Sequence, residues 1–404
     1  MNHKLLTIAA LALAAALTAC NSGSKTEVAI SSSVELFGTV DSVAFTANIE
    51  SISVLNLQMD DDWAFIFSPH FVFSDNYMYM FEDHTMKMLC FDKRTGEKIS
   101  SRAILGNGPG EIVQFYNMFC VGDNFCVYDE KHIIRQYNSK GAFLGKMHEC
   151  DDSFSGYNHL MRLKNGDYAF FLRGERQSDS VRPAILLTDE SFNIKSKYFT
   201  IPQSRSTLNG GYANPYFVND DTVRFFLSYD SHIYSLCGGI ERNIELVLPN
   251  PLTEKINNSF VNLRGEEFIK AMNSYDGPFY DFGESGRFLV FQYKMSGNYY
   301  LSMLDKRTNN VVSKVYYDES ESIIANLFDK MYYLSSDGKY LYGKYFYKDL
   351  AALLENLGDQ PDERLQKTKA ELQACLERNA DYIKGLEPEE LGEASILAKI
   401  KLKD

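Results

Sequence analysis

The chain has 404 residues, which is enough for one large all-β domain or two smaller domains. Aromatic residues make up 14% of it, with 26 Tyr and 28 Phe against a single Trp, and this bias favours strands over helices. The formal net charge of −13 and the lack of a Lys/Arg cluster argue against nonspecific nucleic-acid binding, which depends on clustered basic side chains. We therefore expect no nucleic-acid partner.

Residues 1–19 have the pattern of a bacterial export signal. Lys4 supplies the charged start, and residues 5–17 form an apolar run that is too short to span a bilayer as a permanent helix. Leu17-Thr18-Ala19-Cys20 resembles the lipoprotein box, and this resemblance implies that Cys20 is acylated before the signal is cleaved. The alternative is an ordinary cleaved signal followed by an incidental cysteine.

We expect residues 20–33 to form a flexible tether whose lipid on Cys20 holds the protein on the membrane. No Asp directly follows Cys20, so the inner-membrane retention signal known from some bacteria is missing. No acidic residue precedes Glu27 in this tether, which weakens the case for export to the cell surface. The sequence thus predicts an outer-membrane lipoprotein of the cell envelope that faces the periplasm.

The clearest copy of a repeating unit is residues 86–111. Met86, Met88 and Cys90 alternate with other side chains as in a strand, and Thr95-Gly96 is a good hairpin turn. Residues 99–105 return as a second strand. A loop must follow, because glycine permits positive φ and proline lacks an amide donor; this structural loop contains Gly106, Gly108, Pro109 and Gly110.

Similar strand ends recur with a period of about 48 residues, which is typical of propeller blades. They are Phe91-Asp92, Tyr137-Asn138, Thr188-Asp189, Leu236-Cys237 and Leu304-Asp305. Inner hairpins accompany them, and six are present, beginning near Phe71, Phe119, Leu160, Tyr216, Phe279 and Met331. The predicted fold is all-β, a six-bladed β-propeller over residues 34–404.

Two segments depart from the strand pattern. Residues 251–274 have the apolar spacing of a short helix on the outer rim. A helical insertion near the carboxyl terminus, at about 349–385, contains predicted helices at 350–357 and 362–384. We expect residues 395–402 to be the third strand of blade six, with an outer partner drawn from residues 34–57, because such closure covers exposed strand edges.

The cysteines that remain after Cys20 fit no zinc pattern and no compact disulfide framework. Cys120 and Cys126 flank a turn and could face each other across a hairpin. We favour buried free thiols, because cysteine packs well as a small apolar side chain.

Two groups of candidate metal ligands have simpler explanations. His84, His132 and His232 recur at equivalent positions of separate blades, which lie too far apart around a ring for one metal ion. Asp60-Asp61-Asp62 lacks the alternating ligands of a calcium loop and is interpreted as a solvated turn. We expect no metal and no cofactor.

Two segments resemble known propeller families. Residues 128–137, with the sequence YDEKHIIRQY, resemble a blade of NHL-type propellers. Residues 106–111, GNGPGE, taken together with the lipoprotein box, are similar to the TolB-like six-bladed propeller lipoproteins of Bacteroidetes. The resemblance implies this fold and an envelope location, and it implies no reaction.

Two segments are candidates for a partner-binding face. The loop of residues 106–111 lacks the Lys-Ser/Thr of a P-loop, so it is interpreted mainly as a structural connection, and Glu111 is the residue to test for a function. Arg173, Arg176 and Arg182 form a charged stretch between two strands of blade three, on the same face as this loop. These four residues are the predicted partner-binding set.

No catalytic motif is present in the sequence. We therefore predict a monomeric, non-enzymatic binding or scaffold protein for an envelope protein, peptide or glycan. The alternative is a polysaccharide hydrolase or lyase with acidic residues at the mouth of the central channel. In a third hypothesis, the carboxy-terminal helices dock a partner.

Overall fold

The computed structural model describes residues 32–37, 39–64, 69–82, 85–172, 182–201, 217–219, 222–226, 231–237, 239–260, 263, 265–316, 323–331, 333–355 and 362–404. These residues form six sheets of four antiparallel strands each, and one sheet gains a fifth, parallel strand. The predicted all-β, six-bladed architecture is therefore confirmed.

Among the described residues, two strands and two short helices precede blade 1, and the two strands join blades that the chain completes later. They are β1 (Ser32–Glu35), α1 (Ser42–Ala47), β2 (Ile49–Val54) and α2 (Asp61–Ala64). Blades 1 to 3 then use consecutive strands, with the innermost strand first. Blade 1 has β3 (Pro69–Phe73), β4 (Tyr77–Glu82), β5 (Lys87–Asp92) and β6 (Lys98–Ala103); blade 2 has β7 (Phe115–Val121), β8 (Asn124–Asp129), β9 (Ile133–Tyr137) and β10 (Phe143–Glu149); blade 3 has β11 (Tyr157–Arg162), β12 (Tyr168–Leu172), β13 (Arg182–Thr188) and β14 (Ile194–Ile201).

The remaining blades are separated by helical segments. Blade 4 has β15 (Phe217–Asn219), β16 (Thr222–Phe226), β17 (His232–Leu236) and β18 (Ile240–Val247), and α3 (Glu254–Ser259) and α4 (Gly265–Asn273) follow it. Blade 5 has β19 (Gly277–Ser285), β20 (Phe288–Met295), β21 (Asn298–Asp305) and β22 (Val311–Val315), followed by α5 (Ile323–Asp329). Blade 6 begins with β23 (Tyr333–Ser336) and β24 (Leu341–Phe346), continues through α6 (Tyr347–Glu355), α7 (Glu363–Arg378), α8 (Ala380–Ile383) and α9 (Pro388–Glu393), and ends with β25 (Ser395–Leu402).

The first described residues, 32–37 and 39–54, run along the outer rim and are called the strap below. Its strand β1 pairs in parallel with β18 of blade 4. Val40 then bridges to Ser313 of blade 5, and β2 pairs with β25 as the outermost strand of blade 6. The predicted closure of blade six is therefore confirmed. Ser32 and Ser33, which both fall within the predicted tether of residues 20–33, already belong to β1.

The hydrophobic core lies in clusters between neighbouring blades, because both faces of each sheet are covered. Tyr79 of blade 1 stacks on Phe125 of blade 2 at 5.2 Å, and Phe171 of blade 3 meets Phe225 of blade 4 edge to face. The largest cluster joins blades 5, 6 and 1 and also buries Trp63 and the apolar sides of α6 and α7. Helices α6 and α7 are therefore part of the core.

The helical segments differ in extent from the prediction. The insertion in blade six covers residues 347–393 rather than 349–385, and the expected helix at 362–384 is divided into α7 and α8 around Asn379. Residues 251–274 contain two short helices instead of one, and the second begins at Gly265. Glycine lowers helix propensity, which is why the sequence pattern here was ambiguous.

The six described cysteines are all free thiols, as expected. In the hairpin of blade 2, Cys120 lies opposite Phe125 and Cys126 lies opposite Phe119, so the two thiols do not face each other. Burial raises the pKa of the Cys126 thiol to about 12, which keeps it protonated and unreactive at neutral pH.

The run Asp60-Asp61-Asp62 is not a solvated turn. It begins α2, whose Trp63 is buried and lies edge to face with Phe91 of blade 1. This packing places the acidic side chains beside the sheet, where Asp60 pairs with Lys98 and Asp62 pairs with Lys87. The prediction was wrong because a short helix with a buried Trp overrides the local preference of an acidic run for solvent.

Candidate interaction surface

The glycine loop, residues 106–111, connects the outermost strand of blade 1 to the innermost strand of blade 2. Its ends are joined by a parallel bridge between Leu105 and Ile112. The N–H of Gly106 donates to the carbonyl of Ile112 at 2.9 Å, and the N–H of Glu111 donates to the carbonyl of Gly108 at 3.0 Å. The loop is therefore closed on itself by its own backbone.

Glu111 holds this loop from the inside. Its Oε2 accepts a hydrogen bond from the N–H of Gly108 at 2.8 Å, and the residue is half-buried. A Cβ on Gly106 would lie 2.0 Å from the same oxygen, and Gly106 has φ of +151°, so glycine is needed there for space and for backbone conformation. The geometry accords with the structural interpretation of the loop, and it gives Glu111 the role of shaping it.

The loop packs against the outer half of blade 2. The hydroxyl of Tyr137, in β9, donates to the carbonyl of Gly110 at 3.2 Å. A Cβ on Gly110 would come within 2.8 Å of Phe143, in β10, so the backbone lies directly on that ring. The loop is thus held rigidly at the boundary between blades 1 and 2.

The side chains that the loop exposes are uncharged. Leu105 is 57% exposed and Val113 is 40% exposed, and Asn107 and Pro109 are exposed between them. We call these four residues the loop surface. Lys131 lies beside it, with its Nζ 3.5 Å from Oδ1 of Asn107. Sequence reasoning missed Leu105 and Val113, since an aliphatic residue next to a strand gives no sign of its exposure.

The predicted arginines are not brought together with Glu111 by any described contact. Cys20, Arg173 and Arg176 lie outside the described residues, as does His84. Arg182 is the first residue of β13, where its Cα is paired with that of Ile201. Strands alternate in direction within each blade, so the connection from β12 to β13 lies on the same side of the ring as the connection from blade 1 to blade 2. The backbone of Arg182 is therefore on the same side of the ring as the glycine loop.

The described carboxyl groups whose pKa is shifted all have a lowered pKa. Burial alone would raise the pKa of the Glu284 carboxyl, but Arg224 and Lys306 contact it and hold its pKa below the ordinary value. Every other described carboxyl whose pKa is shifted is also shifted downward. A glycosidase acid needs the opposite shift, so the alternative of a polysaccharide hydrolase gains no support from these groups.

Between the innermost strands of blades 2 and 3, two buried polar side chains meet. Asn117 of β7 and His159 of β11 are both buried, and the side-chain nitrogen of Asn117 lies 3.4 Å from Nδ1 of His159. Within the described part of the chain, no three His, Cys, Asp or Glu side chains are grouped as a metal site. No helix among the described residues is both long and apolar enough to cross a membrane.

Comparison with known families agrees with this geometry. Residues 21–347 match the model of a family described as a 6-bladed beta-propeller, DUF5128. The chain belongs to this family. The match ends at Tyr347, where α6 begins, so the helical insertion and the closing strand β25 of this DUF5128 propeller lie beyond the matched residues.

Solved structures resemble this DUF5128 propeller in fold. A Bacteroides fragilis protein, BF0058, which is described as exported, has a TM-score of 0.64 at 17% identity, with 92% of this chain and 99% of that chain covered. A DUF4221 protein from Bacteroides vulgatus has a TM-score of 0.49 at 11% identity, with 88% and 99% covered. No curated protein sequence matches the chain.

Proposed function

We propose that this DUF5128 propeller is an exported, lipid-anchored binding or scaffold protein without enzymatic activity, and that its loop surface contacts an envelope protein or peptide. The observation that carries the proposal is the loop surface itself. Two aliphatic side chains and a proline are held outward by a rigid, self-bonded loop in a chain of net charge −13. Exposed apolar groups on a rigid support are typical of recognition sites.

Several observations support the location. Residues 1–19 have the pattern of an export signal, Cys20 follows a lipoprotein box, and the family match begins directly after it at residue 21. The structurally similar BF0058 is described as exported. The proposal includes acylation of Cys20, attachment to the periplasmic face of the outer membrane, a monomeric state and the finer resemblance to TolB-like and NHL-type propellers.

The predicted partner-binding residues have separate parts in this proposal. Glu111 acts indirectly, because its carboxylate shapes the loop that presents Leu105 and Val113. Arg173, Arg176 and Arg182 would extend the contact on the same side of the ring. A protein or peptide is favoured over a glycan, because the exposed groups of the loop surface include aliphatic side chains and no aromatic ring on which a sugar could stack.

Site-specific photo-cross-linking in cells tests the surface. A photoreactive amino acid in place of Val113 should give a discrete cross-linked species, and Leu105→Asp in the same chain should abolish it. The matched control is the same amino acid in place of Ile194, an exposed aliphatic residue on the outermost strand of blade 3. Equal cross-linking at both positions, or a product that survives Leu105→Asp, would rule out the loop surface as the site.

A further inference from the structure

The strap carries a concentration of exposed apolar side chains. Phe37 is 44% exposed, Val40 is 45% exposed and Val43 is 77% exposed. Four other large apolar side chains of the described residues are comparably exposed, and they are distributed over blades 1 to 3; they are Leu105, Val113, Leu144 and Ile194. The three exposed side chains of the strap, by contrast, lie within seven residues of one another in the sequence, and such a concentration of exposed apolar groups often marks an interaction surface.

The backbone of the strap is fixed, so these side chains cannot turn inward. The N–H of Asp41 donates to the carbonyl of Ser313 at 2.9 Å, and the N–H of Ser313 donates to the carbonyl of Thr39 at 2.8 Å. In α1, Phe45 is fully buried and meets Phe328 edge to face at 5.3 Å. Because one side of α1 is committed to the core, Val43 is held outward.

The position of this surface along the chain indicates what covers it. The strap contains the first described residues, and residues 21–31 separate it from Cys20. A segment of that length reaches at most about 40 Å when fully extended. A lipid on Cys20 therefore keeps the strap, at the rim of blades 4 and 5, close to the membrane.

We propose that Phe37, Val40 and Val43 form a lipid-contact patch that seats the rim of blades 4 and 5 on the membrane surface. The inference rests on the proposed lipid anchor and adds an orientation to it. Three side chains would contribute apolar contact that complements the acyl chains, in the way that a second signal stabilises a single lipid anchor. Glu35 and Asp41 border the patch, so its attraction is apolar and does not depend on anionic lipid.

The orientation has a consequence for the loop surface. Blades 2 and 5 are three places apart in a ring of six, so they lie on opposite sides of it. A patch at blade 5 that rests on lipid directs blade 2, and the loop surface at its boundary with blade 1, away from the membrane. The proposed recognition site would then be open to partners in the periplasm.

Fluorescence quenching by brominated lipid tests the patch. Acylated full-length protein is reconstituted into phosphatidylethanolamine–phosphatidylglycerol vesicles with brominated acyl chains. Trp63 is the single Trp of the chain and is buried, so its fluorescence is a constant background. This background is measured on the acylated protein without a substitution. The Trp added by Val43→Trp should be quenched at least about twofold more strongly than the Trp added by Leu144→Trp, which lies on blade 2. Phe37→Trp provides a second, conservative probe.

The outcomes separate this inference from the anchor on which it rests. Equal quenching of Val43→Trp and Leu144→Trp in acylated protein would overturn the patch and leave the anchor intact. Mass spectrometry of the peptide that contains Cys20 tests acylation independently. If Cys20 carries no acyl group, the proposed anchor is wrong. Quenching of the non-acylated Val43→Trp protein, mixed with the same vesicles, then shows whether the patch contacts lipid without the anchor. If a second copy of the chain covered Val43 in place of lipid, Val43→Trp and Leu144→Trp would be quenched equally, and this result would overturn the patch.

Discussion

At the scale of single residues, the repeat is readable because one position closes a turn in most blades. Asp92, Asn138, Asp189 and Asp305 each lie at the end of the third strand of a blade or directly after it. Their side chains accept hydrogen bonds from backbone N–H groups two to four residues later. Blade 4 has Cys237 at this place. An oxygen acceptor on a short side chain suits such a turn. This is the physical reason why Asp or Asn recurs at the strand ends from which the repeat is identified.

Asp305 should make stability depend on pH in the acid range. A hydrogen bond from Arg287 holds the pKa of its carboxyl well below the usual range, and the N–H of Arg307 adds to this effect. A carboxyl with a depressed folded pKa stabilises the protein above its unfolded pKa of about 3.9, and this stabilisation is lost as the pH falls through the lower folded value. The free energy of unfolding should therefore fall less steeply below about pH 4 in Asp305→Asn than in the unmodified protein.

Urea unfolding at a series of pH values measures this difference. Asp305→Ala is the matched control, because it removes the turn acceptor as well as the charge and should lower the free energy of unfolding by about 1–3 kcal/mol even at neutral pH. Asn138 occupies the equivalent place in blade 2 with the same backbone contacts, so Asn at 305 is expected to keep the turn. Parallel pH curves for Asp305→Asn and the unmodified protein would contradict the prediction.

At the scale of elements, α7 covers the outer edge of blade 6. Thr368 donates to the carbonyl of Ile52 at 2.9 Å, and Glu371 accepts from the N–H of Val54 at 2.9 Å, so side chains of the helix satisfy the free edge of β2. An uncovered edge would invite pairing with other chains. The third hypothesis, in which these helices dock a partner, is therefore not tested cleanly by deleting them, because the deletion would also expose this edge.

Asn379 tests the attachment of α7. Its Oδ1 accepts from the N–H of Met59 at 2.7 Å, and its Nδ2 donates to the carbonyl of Leu57 at 2.9 Å, both in buried surroundings. Asn379→Ala leaves two buried backbone groups without these partners, so it should lower the free energy of unfolding by about 2–4 kcal/mol. Gln373→Ala, at an exposed position of the same helix, should change it by less than about 0.5 kcal/mol. Similar values for the two variants in urea unfolding would show that the contacts add nothing.

The sequence predicted elements better than it predicted surfaces. Alternating aromatic residues located the six inner hairpins, and the apolar strand Ser395–Leu402 was predicted with its observed bounds. The parallel strand β1 was missed because four residues give too little periodicity. The side chain of Glu111 can turn inward because Gly106 leaves space for it. The exposure of Val113 depends on which residues pack around it. The spacing of apolar residues along the sequence shows neither of these.

At the scale of the whole molecule, strands from the two ends of the chain complete the ring. Ile52 of β2 lies opposite Ile400 of β25, and Lys401 pairs with Glu50 across the same two strands. A chain that ends at Ala394 lacks β25 and exposes the largest core cluster, so it should lose the cooperative thermal transition in circular dichroism. A chain that ends at Lys403 should keep it. A cooperative transition in the shorter chain would show that five blades suffice.

The same closure sets an order for folding. Blades 1, 2, 3 and 5 consist of strands that follow one another along the chain, so each is able to form while later residues are still being synthesised. Blade 6 forms later, since its outermost strand is among the first to be synthesised and the strand beside it is synthesised last. Until then the nascent ring has an open seam with apolar sheet faces on both sides. That interval, which long-range strand pairing makes slow, is when a chaperone would be needed most.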